Sequence, residues 1–347
     1  ILGGLDPSLN KVGMNYILGN GCPYHRGRRL RRSQHIRDLV SETNLTTDDL
    51  VMPFFLKEDD DKTNTKNLYD LKRFTIKELC IELEKIVDFG IKAIAIFPKV
   101  KDNKKTTKAE ESYNEKNLIC RSLRILTKKF PKLIIICDVA LDAYTSTGHD
   151  GVVNSYGEVD NDKTVEALRK MSISLVSSGC EIIAPSDMMD GRIKSIRENL
   201  ESLGFKETII LSYSSKFCSN FYTPFRDAIG SSVNLGDSKK HSYQINFRNR
   251  KEALKESLED INEGADIIMI KPAGYYLDII REVRDSCLIP VAAFQVSGEY
   301  CLIKSAAERK LINLRDCVLE SLNCIKRSGA DLIFSYFSME VAKWLNK

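Results

Sequence analysis

Short apolar, β-branched stretches alternate with longer amphipathic stretches along most of this 347-residue chain. A short buried run bounded by turn residues is typical of a parallel strand, and apolar residues at i, i+3, i+4 and i+7 indicate a helix. The pattern therefore predicts a repeating strand–helix architecture. Strands are predicted at 50–56, 93–98, 133–140, 181–185, 208–213, 266–271, 290–295 and 331–337, and helices at 76–89, 114–129, 162–178, 191–203, 251–262 and 314–328.

Glycine recurs at four of the predicted helix-to-strand junctions. Gly90, Gly179, Gly264 and Gly329 each lie between a helical stretch and a buried run. Glycine adopts the left-handed conformation that ends a helix without a steric penalty. Eight strand–helix units in series favour a closed (β/α)8 barrel, the TIM-barrel fold of the α/β class, over an open doubly wound sheet.

Two segments depart from this alternation. Residues 1–35 are rich in Gly, Asn and Pro and include a basic run at 26–32, so we expect an extended N-terminal arm there and a catalytic barrel over 36–347. The polar segment 230–248 is longer than an ordinary loop between a strand and a helix. Long irregular loops at the strand ends of a barrel often act as lids, and we expect this one to do so.

Composition excludes several classes of function. The 52 Lys and Arg residues exceed the 48 Asp and Glu residues by only four, which is too little charge to indicate nucleic-acid binding. The longest apolar runs have the length of a strand, so no membrane span is predicted. The 10 cysteines form no CxxC pairs, which favours reduced thiols over a disulfide framework or a zinc knuckle. Because the first residue is Ile1, we expect a leader to precede this chain.

Two lysines stand at positions where lysine is a poor structural choice. Lys271 ends the buried run 266–271, and Lys216 follows the strand predicted at 208–213. A buried ammonium must be solvated, paired or deprotonated, and two of them facing each other lower each other's pKa. A neutral amine can attack a ketone and form a Schiff base. Barrel enzymes place their sites at the carboxyl ends of the strands, where other polar residues are also predicted: Asp138, Asp142, Ser186, Asp187, Ser297 and Tyr336.

Each of these features also has a structural explanation. A lysine at a strand end can extend to solvent or pair with a carboxylate. Asp187, Asp190 and Arg192 can form an N-cap and an ion pair at the start of a helix. Arg226 and Lys240 can be solvated charges beside the lid. The residues alone leave a Schiff-base enzyme and these structural roles in balance.

Several sequence blocks together resemble the porphobilinogen synthase family, also called the 5-aminolevulinate dehydratases. The similarity runs from about residue 28 to the C-terminus. It implies a lyase that condenses two 5-aminolevulinate molecules to porphobilinogen with loss of water, in tetrapyrrole and heme biosynthesis. It also implies a homo-octamer in which the N-terminal arm embraces a neighbouring subunit, a role we favour over nucleic-acid binding for the basic run. The blocks lie at 184–192, 212–217, 221–226, 269–272, 276–280 and 295–300.

The resemblance also assigns roles to individual residues. Lys271 matches the lysine that binds the first substrate and Lys216 the second Schiff-base lysine, with Asp138 and Asp187 as polar groups beside the reacting amines. Closure of residues 217–247 would exclude the water that hydrolyses imines. The implied substrate-binding residues are Arg226, Lys240 and Gln244 for one carboxylate, Ser297 and Tyr336 for the other, and Ser186, Tyr222 and Phe225 around the cavity.

The metal region differs from that of zinc-using members. Ala140, Asp142 and Asp150 stand where those members have three cysteines. Alanine cannot bind a metal and carboxylates prefer harder ions, so we expect no catalytic zinc and no organic cofactor. The pattern resembles the magnesium-responsive branch found in plastids and many bacteria. It implies an allosteric magnesium at Glu256, for which the alternative is an exposed helical acid.

Other assignments remain open at this stage. We expect a plastid-type organelle as the location, with the cytosol as the alternative. An aldolase-like lyase with one working lysine is the second functional hypothesis. A catalytically silent assembly or regulatory protein that keeps the fold is the third, and the intact lysines argue against it.

Overall fold

The computed structural model describes residues 26–63, 69, 71–231, 235 and 240–346. Most of the predicted arm, and residues 232–234 and 236–239 of the predicted lid, lie outside this part. The chain divides into the units Ile1–Asn44 and Leu45–Lys347. In the first unit, a 3₁₀ turn at Gly27–Arg31 precedes the short helix α1, Gln34–Leu39, and neither element has a buried residue. The boundary of the arm therefore remains a prediction.

Eight parallel strands form a closed barrel in the second unit. The ring closes because the first strand, β1 (Leu50–Leu56), pairs with both β3 (Ala93–Pro98) and β9 (Leu332–Ser335). This confirms the predicted TIM barrel, and all eight predicted strands are present. A further two-residue strand, β2, pairs with the end of β1 and was not predicted. The strands are β1 Leu50–Leu56, β2 Arg73–Phe74, β3 Ala93–Pro98, β4 Ile134–Val139, β5 Ile182–Pro185, β6 Ile209–Lys216, β7 Ile267–Lys271, β8 Val291–Gln295 and β9 Leu332–Ser335.

Amphipathic helices pack around the strands. The six predicted helices are present, and α6, α8, α9 and α11 are additional helices within the second unit. In the described part of the chain, no helix has the length and apolar character needed to cross a membrane. The helices are α2 Ile76–Asp88, α3 Leu118–Lys129, α4 Asn161–Ser177, α5 Arg192–Ser202, α6 Thr223–Ile229, α7 Arg250–Asn262, α8 Leu277–Ser286, α9 Ser297–Glu308, α10 Leu314–Arg327 and α11 Ser338–Leu345.

The four glycine junctions have the predicted backbone conformation. The φ angles of Gly90, Gly179, Gly264 and Gly329 are 81°, 100°, 104° and 115°. These values lie in the left-handed half of the Ramachandran plot, where residues with a Cβ are strained. The recurring glycine therefore turns the chain from the end of each of these helices into the next buried strand.

The end of β6 differs from the sequence expectation. The strand runs to Lys216 instead of ending near residue 213, and its register against β7 shifts between Ser212 and Ser215. After this shift Lys216 is the direct partner of Lys271. The irregularity therefore places both lysines at the last position of adjacent strands, at the carboxyl end of the barrel.

Candidate active site

A small cavity lies at the carboxyl ends of the strands and contains both lysines. Lys271 is 4% exposed and Lys216 is 6% exposed, so each amine is nearly removed from bulk solvent. The two lysines are direct partners in the sheet and line the same cavity. Its lining residues are Asp138, Asp142, Ser186, Lys216, Tyr222, Phe225, Arg226, Lys240, Gln244 and Lys271.

Aromatic rings surround the amine of Lys271. Its Nζ atom lies 4.4 Å from the ring centre of Phe294, 4.8 Å from Phe225, 5.0 Å from Tyr213 and 5.4 Å from Tyr222. Burial, together with the neighbouring Lys216 ammonium, lowers the pKa of Lys271 to about 7. A substantial fraction of this lysine is therefore neutral, and nucleophilic, near physiological pH.

Lys216 has polar neighbours instead. Its Nζ donates a hydrogen bond to the backbone carbonyl of Ser186, and it lies 3.5 Å from Oδ1 of Asp150. Ser186 is held in turn by a 3.0 Å hydrogen bond from its backbone N–H to the carbonyl of Val139. The Lys216 amine is thus held by a carbonyl and a carboxylate, whereas the amine of Lys271 on the adjacent strand faces aromatic rings.

Asp138 supplies a carboxyl group that titrates near neutrality. Burial and the neighbouring Asp142 carboxylate raise the pKa of Asp138 to about 7, and the two lysines oppose this rise. Its Oδ1 atom is buried and has no hydrogen-bond partner within the described residues. A group with these properties beside two amines can accept and return protons at physiological pH.

Asp150 connects several cations at the edge of the cavity. Its carboxylate lies 3.1 Å from Nζ of Lys240 and 3.3 Å from Nε2 of Gln244, in addition to its contact with Lys216. Burial opposes its ionisation, but the Lys216 and Lys240 ammonium groups outweigh this and hold the pKa of Asp150 down to about 2. Asp150 was predicted only to replace a metal-binding cysteine, and its role as a counter-ion was not predicted.

Asp142 completes this ion-pair cluster. Its Oδ2 atom lies 3.2 Å from Nζ of Lys240, so the lid lysine bridges two carboxylates. Arg226, the other predicted carboxylate-binding cation, lies 5.9 Å over the ring of Tyr222 and lines the cavity. The structure therefore brings Arg226, Lys240 and Gln244 together, with Lys240 already paired inside the protein.

Three predicted site residues lie outside the cavity lining. Asp187 is buried and lies 3.6 Å from Nε of Arg192, which matches the structural alternative; burial raises the pKa of Asp187 to about 6. Ser297 accepts a 3.0 Å hydrogen bond from the backbone N–H of Phe225. The hydroxyl of Tyr336 is buried and has no hydrogen-bond partner among the residues that the structure describes.

Glu256 lies on α7, away from the lysines. It borders a separate cavity with Glu252, Asp190 and Glu158. Burial, with repulsion from neighbouring acids, raises the pKa of Glu256. Across the described residues, no group of three or more His, Cys, Asp or Glu side chains has the arrangement of a metal site. Glu256 is thus a partly buried acid in an acidic cavity instead of a fully exposed one.

Comparisons with known proteins find a family that matches most of this chain. The family model "Delta-aminolevulinic acid dehydratase" matches residues 24–344. The Escherichia coli K12 protein of that name is 45% identical over 319 residues, covering 92% of this chain and 97% of its own. The chloroplastic protein of Selaginella martensii is 42% identical over 321 residues, covering 92% of this chain and 76% of its own.

A solved structure has the same fold. It is the Toxoplasma gondii delta-aminolevulinic acid dehydratase (porphobilinogen synthase) in complex with the reaction product porphobilinogen. It superposes with a TM-score of 0.91 at 41% sequence identity, covering 93% of this chain and 92% of that chain.

Proposed function

This chain belongs to the delta-aminolevulinic acid dehydratase family, and we propose that Lys271 and Lys216 carry its reaction as two Schiff-base lysines. The chain is a lyase of porphyrin biosynthesis that condenses two 5-aminolevulinate molecules to porphobilinogen with loss of water. The observation that carries the residue assignment is the direct pairing of the two buried lysines at the ends of β6 and β7.

Lys271 is proposed to react first. Its neutral ε-amine attacks the keto carbon of one substrate, and loss of water gives the imine. Burial and the neighbouring Lys216 charge favour the uncharged amine. The aromatic rings around Nζ keep water from the product imine. Asp138 lies in the same cavity and can give a proton to the departing hydroxyl and take it back later.

Lys216 is proposed to bind the second substrate. Its hydrogen bond to Ser186 and its contact with Asp150 orient the amine toward the cavity that it shares with Lys271. Asp138, whose pKa is raised to about 7, lies in the same cavity and can accept or return a proton during this step. Condensation of the two bound substrates then forms a C–C and a C–N bond. Each imine carbon releases its lysine as a free amine in the course of ring closure, and loss of a proton from carbon gives the aromatic pyrrole. The two waters released are those lost when the imines formed.

The substrate carboxylates need fixed cations or hydroxyl donors. For one carboxylate we propose Arg226 and Lys240 with Gln244, with Lys240 exchanging its ion pairs to Asp142 and Asp150 for the substrate. For the other carboxylate we propose Ser297 and Tyr336. The unpartnered Tyr336 hydroxyl supports this choice, because a buried hydroxyl without a partner is costly unless a ligand supplies one.

Movement of the covering segment is part of this proposal. The free space among the lining residues is about 20 Å³, roughly the volume needed to hold one water molecule. Two substrates therefore require the segment at 217–247 to open and close again. Closure places Lys240, a residue of this segment, over the reacting groups.

Borohydride trapping tests the assignment. We expect treatment in the presence of 5-aminolevulinate to reduce a substrate adduct onto Lys271, detected by peptide mass spectrometry. The absence of any adduct in turning-over enzyme would contradict the mechanism. An aldolase-like reaction with one working lysine predicts that Lys216→Ala keeps full turnover of a keto substrate, and a catalytically silent protein predicts no porphobilinogen in a colorimetric assay.

The metal requirement is a separate proposal. We propose that no zinc takes part in catalysis, because Ala140 offers no ligand and Asp142 and Asp150 are occupied by Lys240. A hydrated magnesium ion fits the acidic cavity beside Glu256, since this ion keeps several waters and needs few carboxylates. No organic cofactor is proposed.

Turnover after chelation tests both parts. We expect magnesium to restore activity that a chelator removes, and Glu256→Gln to weaken this response. Glu259→Gln on the same helix is the matched control. Restoration of activity by zinc alone would contradict the proposal. If Glu256→Gln responded to magnesium as the control does, Glu256 would be excluded as the magnesium site.

Assembly and location complete the proposal. A homo-octamer is proposed from the family resemblance, with the N-terminal arm and its basic run in subunit contacts; light scattering on the purified protein would distinguish it from a hexamer. The relatives named chloroplastic support a plastid-type organelle as the location.

A further inference from the structure

A buried carboxylate links the loop after Lys271 to the start of α9. Glu299 is 6% exposed and lies in the first turn of that helix. Its Oε2 atom accepts a 2.7 Å hydrogen bond from the backbone N–H of Val296, which is an ordinary helix-capping contact. Its Oε1 atom accepts a 2.6 Å hydrogen bond from the backbone N–H of Gly274. The backbone N–H of Ala273 also stabilises the carboxylate.

Gly274 lies three residues after Lys271, so Glu299 holds the backbone next to the reacting lysine. The carbonyl of Lys271 itself accepts hydrogen bonds of 2.9 Å from the backbone N–H of Phe217 and 2.9 Å from the hydroxyl of Tyr222. The strand end is thus fixed on both sides of Pro272, which has no N–H of its own to donate.

The approach of Glu299 also explains the glycine at position 274. A Cβ atom there would lie 2.6 Å from Oε1 of Glu299, which is closer than real Cβ contacts. A side chain at residue 274 would therefore force the Glu299 carboxylate or the loop to shift from its present position. Gly274 and the Glu299 carboxylate thus form a close contact that a side chain at position 274 would disturb.

A helix cap by itself does not need this arrangement. Glu78 occupies the same position in the first turn of α2 and accepts a 2.8 Å hydrogen bond from the backbone N–H of Thr75. Glu78 is exposed, and its contacts stay within its own helix start. Glu299 makes the corresponding contact but is buried and reaches a second segment of the chain, at the cost of desolvating a carboxylate.

We propose that Glu299 is a positioning residue for Lys271: it fixes the backbone at 273–274 so that the lysine amine meets the substrate ketone in a reactive geometry. This proposal rests on the Schiff-base role of Lys271 proposed above. Glu299 acts through the backbone, because its carboxylate oxygens accept hydrogen bonds from the backbone N–H groups of Gly274 and Val296.

Glu299→Gln tests the proposal with little change in shape. The amide keeps one acceptor oxygen but turns an N–H₂ group toward a backbone N–H, so one of the two links is lost. We expect kcat to fall about 100-fold, with the KM for 5-aminolevulinate changed by less than about threefold, because a small misplacement of a reacting group has effects of this size. The rate of borohydride-trapped adduct formation at Lys271 should fall in parallel.

Glu78→Gln is the matched control, because it makes the same substitution at the corresponding capping position of a helix away from the site. A loss of thermal stability in both variants with unchanged kcat and unchanged Lys271 trapping in Glu299→Gln would reduce Glu299 to a cap and overturn the proposal.

Gly274→Ala keeps the proposal testable if Glu299→Gln folds poorly. It breaks the link from the loop side and leaves the contact to Val296 in place. We expect the same fall in kcat and in Lys271 trapping as in Glu299→Gln, and wild-type kinetics in Gly274→Ala would also overturn the proposal. Failure of the proposed function gives a different result, since the wild-type enzyme itself would then show no adduct on Lys271.

Discussion

The two lysines at the ends of β6 and β7 are direct neighbours in the sheet, yet their surroundings are opposite in character. Lys271 faces four aromatic rings, and burial with like-charge repulsion lowers its pKa to about 7. Lys216 contacts the carbonyl of Ser186 and the carboxylate of Asp150. The chemical identity of a residue and its place in a strand therefore do not determine its reactivity.

This difference supports the proposed order of the two amines. Burial and the neighbouring Lys216 charge favour the uncharged form of Lys271. The neutral fraction of Lys271 can attack a ketone without a prior proton transfer. The charge of Lys216 also lowers the pKa of Lys271, so one lysine supports the reactivity of the other.

Removal of each lysine in turn should give the largest effects. We expect Lys271→Met to lower kcat by about 10⁴-fold or more, because groups that act together lose most of their catalysis when one is removed. Lys216→Met should also abolish porphobilinogen formation but still form a trapped adduct at Lys271. Mass spectrometry after borohydride treatment measures this difference. Equal trapping at Lys216 in the Lys271→Met enzyme would reverse the proposed order.

The second-largest effect should be a loss of stability when the Asp150 counter-charge is removed from the ion-pair cluster. Asp150→Asn leaves Lys216 and Lys240 buried with a missing counter-charge, and we expect the free energy of unfolding to fall by about 3–5 kcal/mol. Urea unfolding monitored by circular dichroism gives the value. Asp59→Asn, at an exposed position, is the control and should change little. If both variants unfold alike, the ion-pair cluster does not stabilise the fold.

The pH dependence of imine formation should show a moderate effect. Lys271 is neutral above its lowered pKa, so trapping with levulinate, a keto acid without the amine, should be half-maximal near pH 7 and fall about tenfold per unit below it. In Lys216→Met the repulsion disappears, the pKa of Lys271 rises, and the midpoint moves to higher pH. A midpoint near the ordinary lysine value of about 10.4 in the wild-type enzyme would contradict the neutral amine.

The smallest effect should come from one hydroxyl in the apolar wall. Tyr222→Phe keeps the ring beside Lys271 but removes the hydrogen bond to the Lys271 carbonyl. We expect unfolding to become easier by about 1 kcal/mol and kcat to fall by less than about tenfold. Steady-state kinetics and thermal unfolding would check this. A loss as large as that of Lys271→Met would mean that the hydroxyl takes part in the chemistry.

Much of the fold and part of the site could be predicted from the sequence alone. The buried runs predicted all eight barrel strands, because parallel strands covered on both faces are apolar throughout. The helices that follow β7 and β8 were not predicted. Ion-pair partners could not be predicted from the sequence. Asp150 and Lys240 are far apart in sequence, and no local pattern predicts their 3.1 Å contact.

The sequence by itself determined the barrel, the family and the two lysines, because apolar periodicity, junction glycines and short motifs are local properties of the chain. The tertiary structure decided what surrounds each lysine. The register shift in β6 set Lys216 opposite Lys271, and side chains from distant segments supplied an aromatic wall for one and a carboxylate for the other. Burial and charge at a point in space depend on every segment that meets there, so the reactivity of Lys271 arises only in the folded chain.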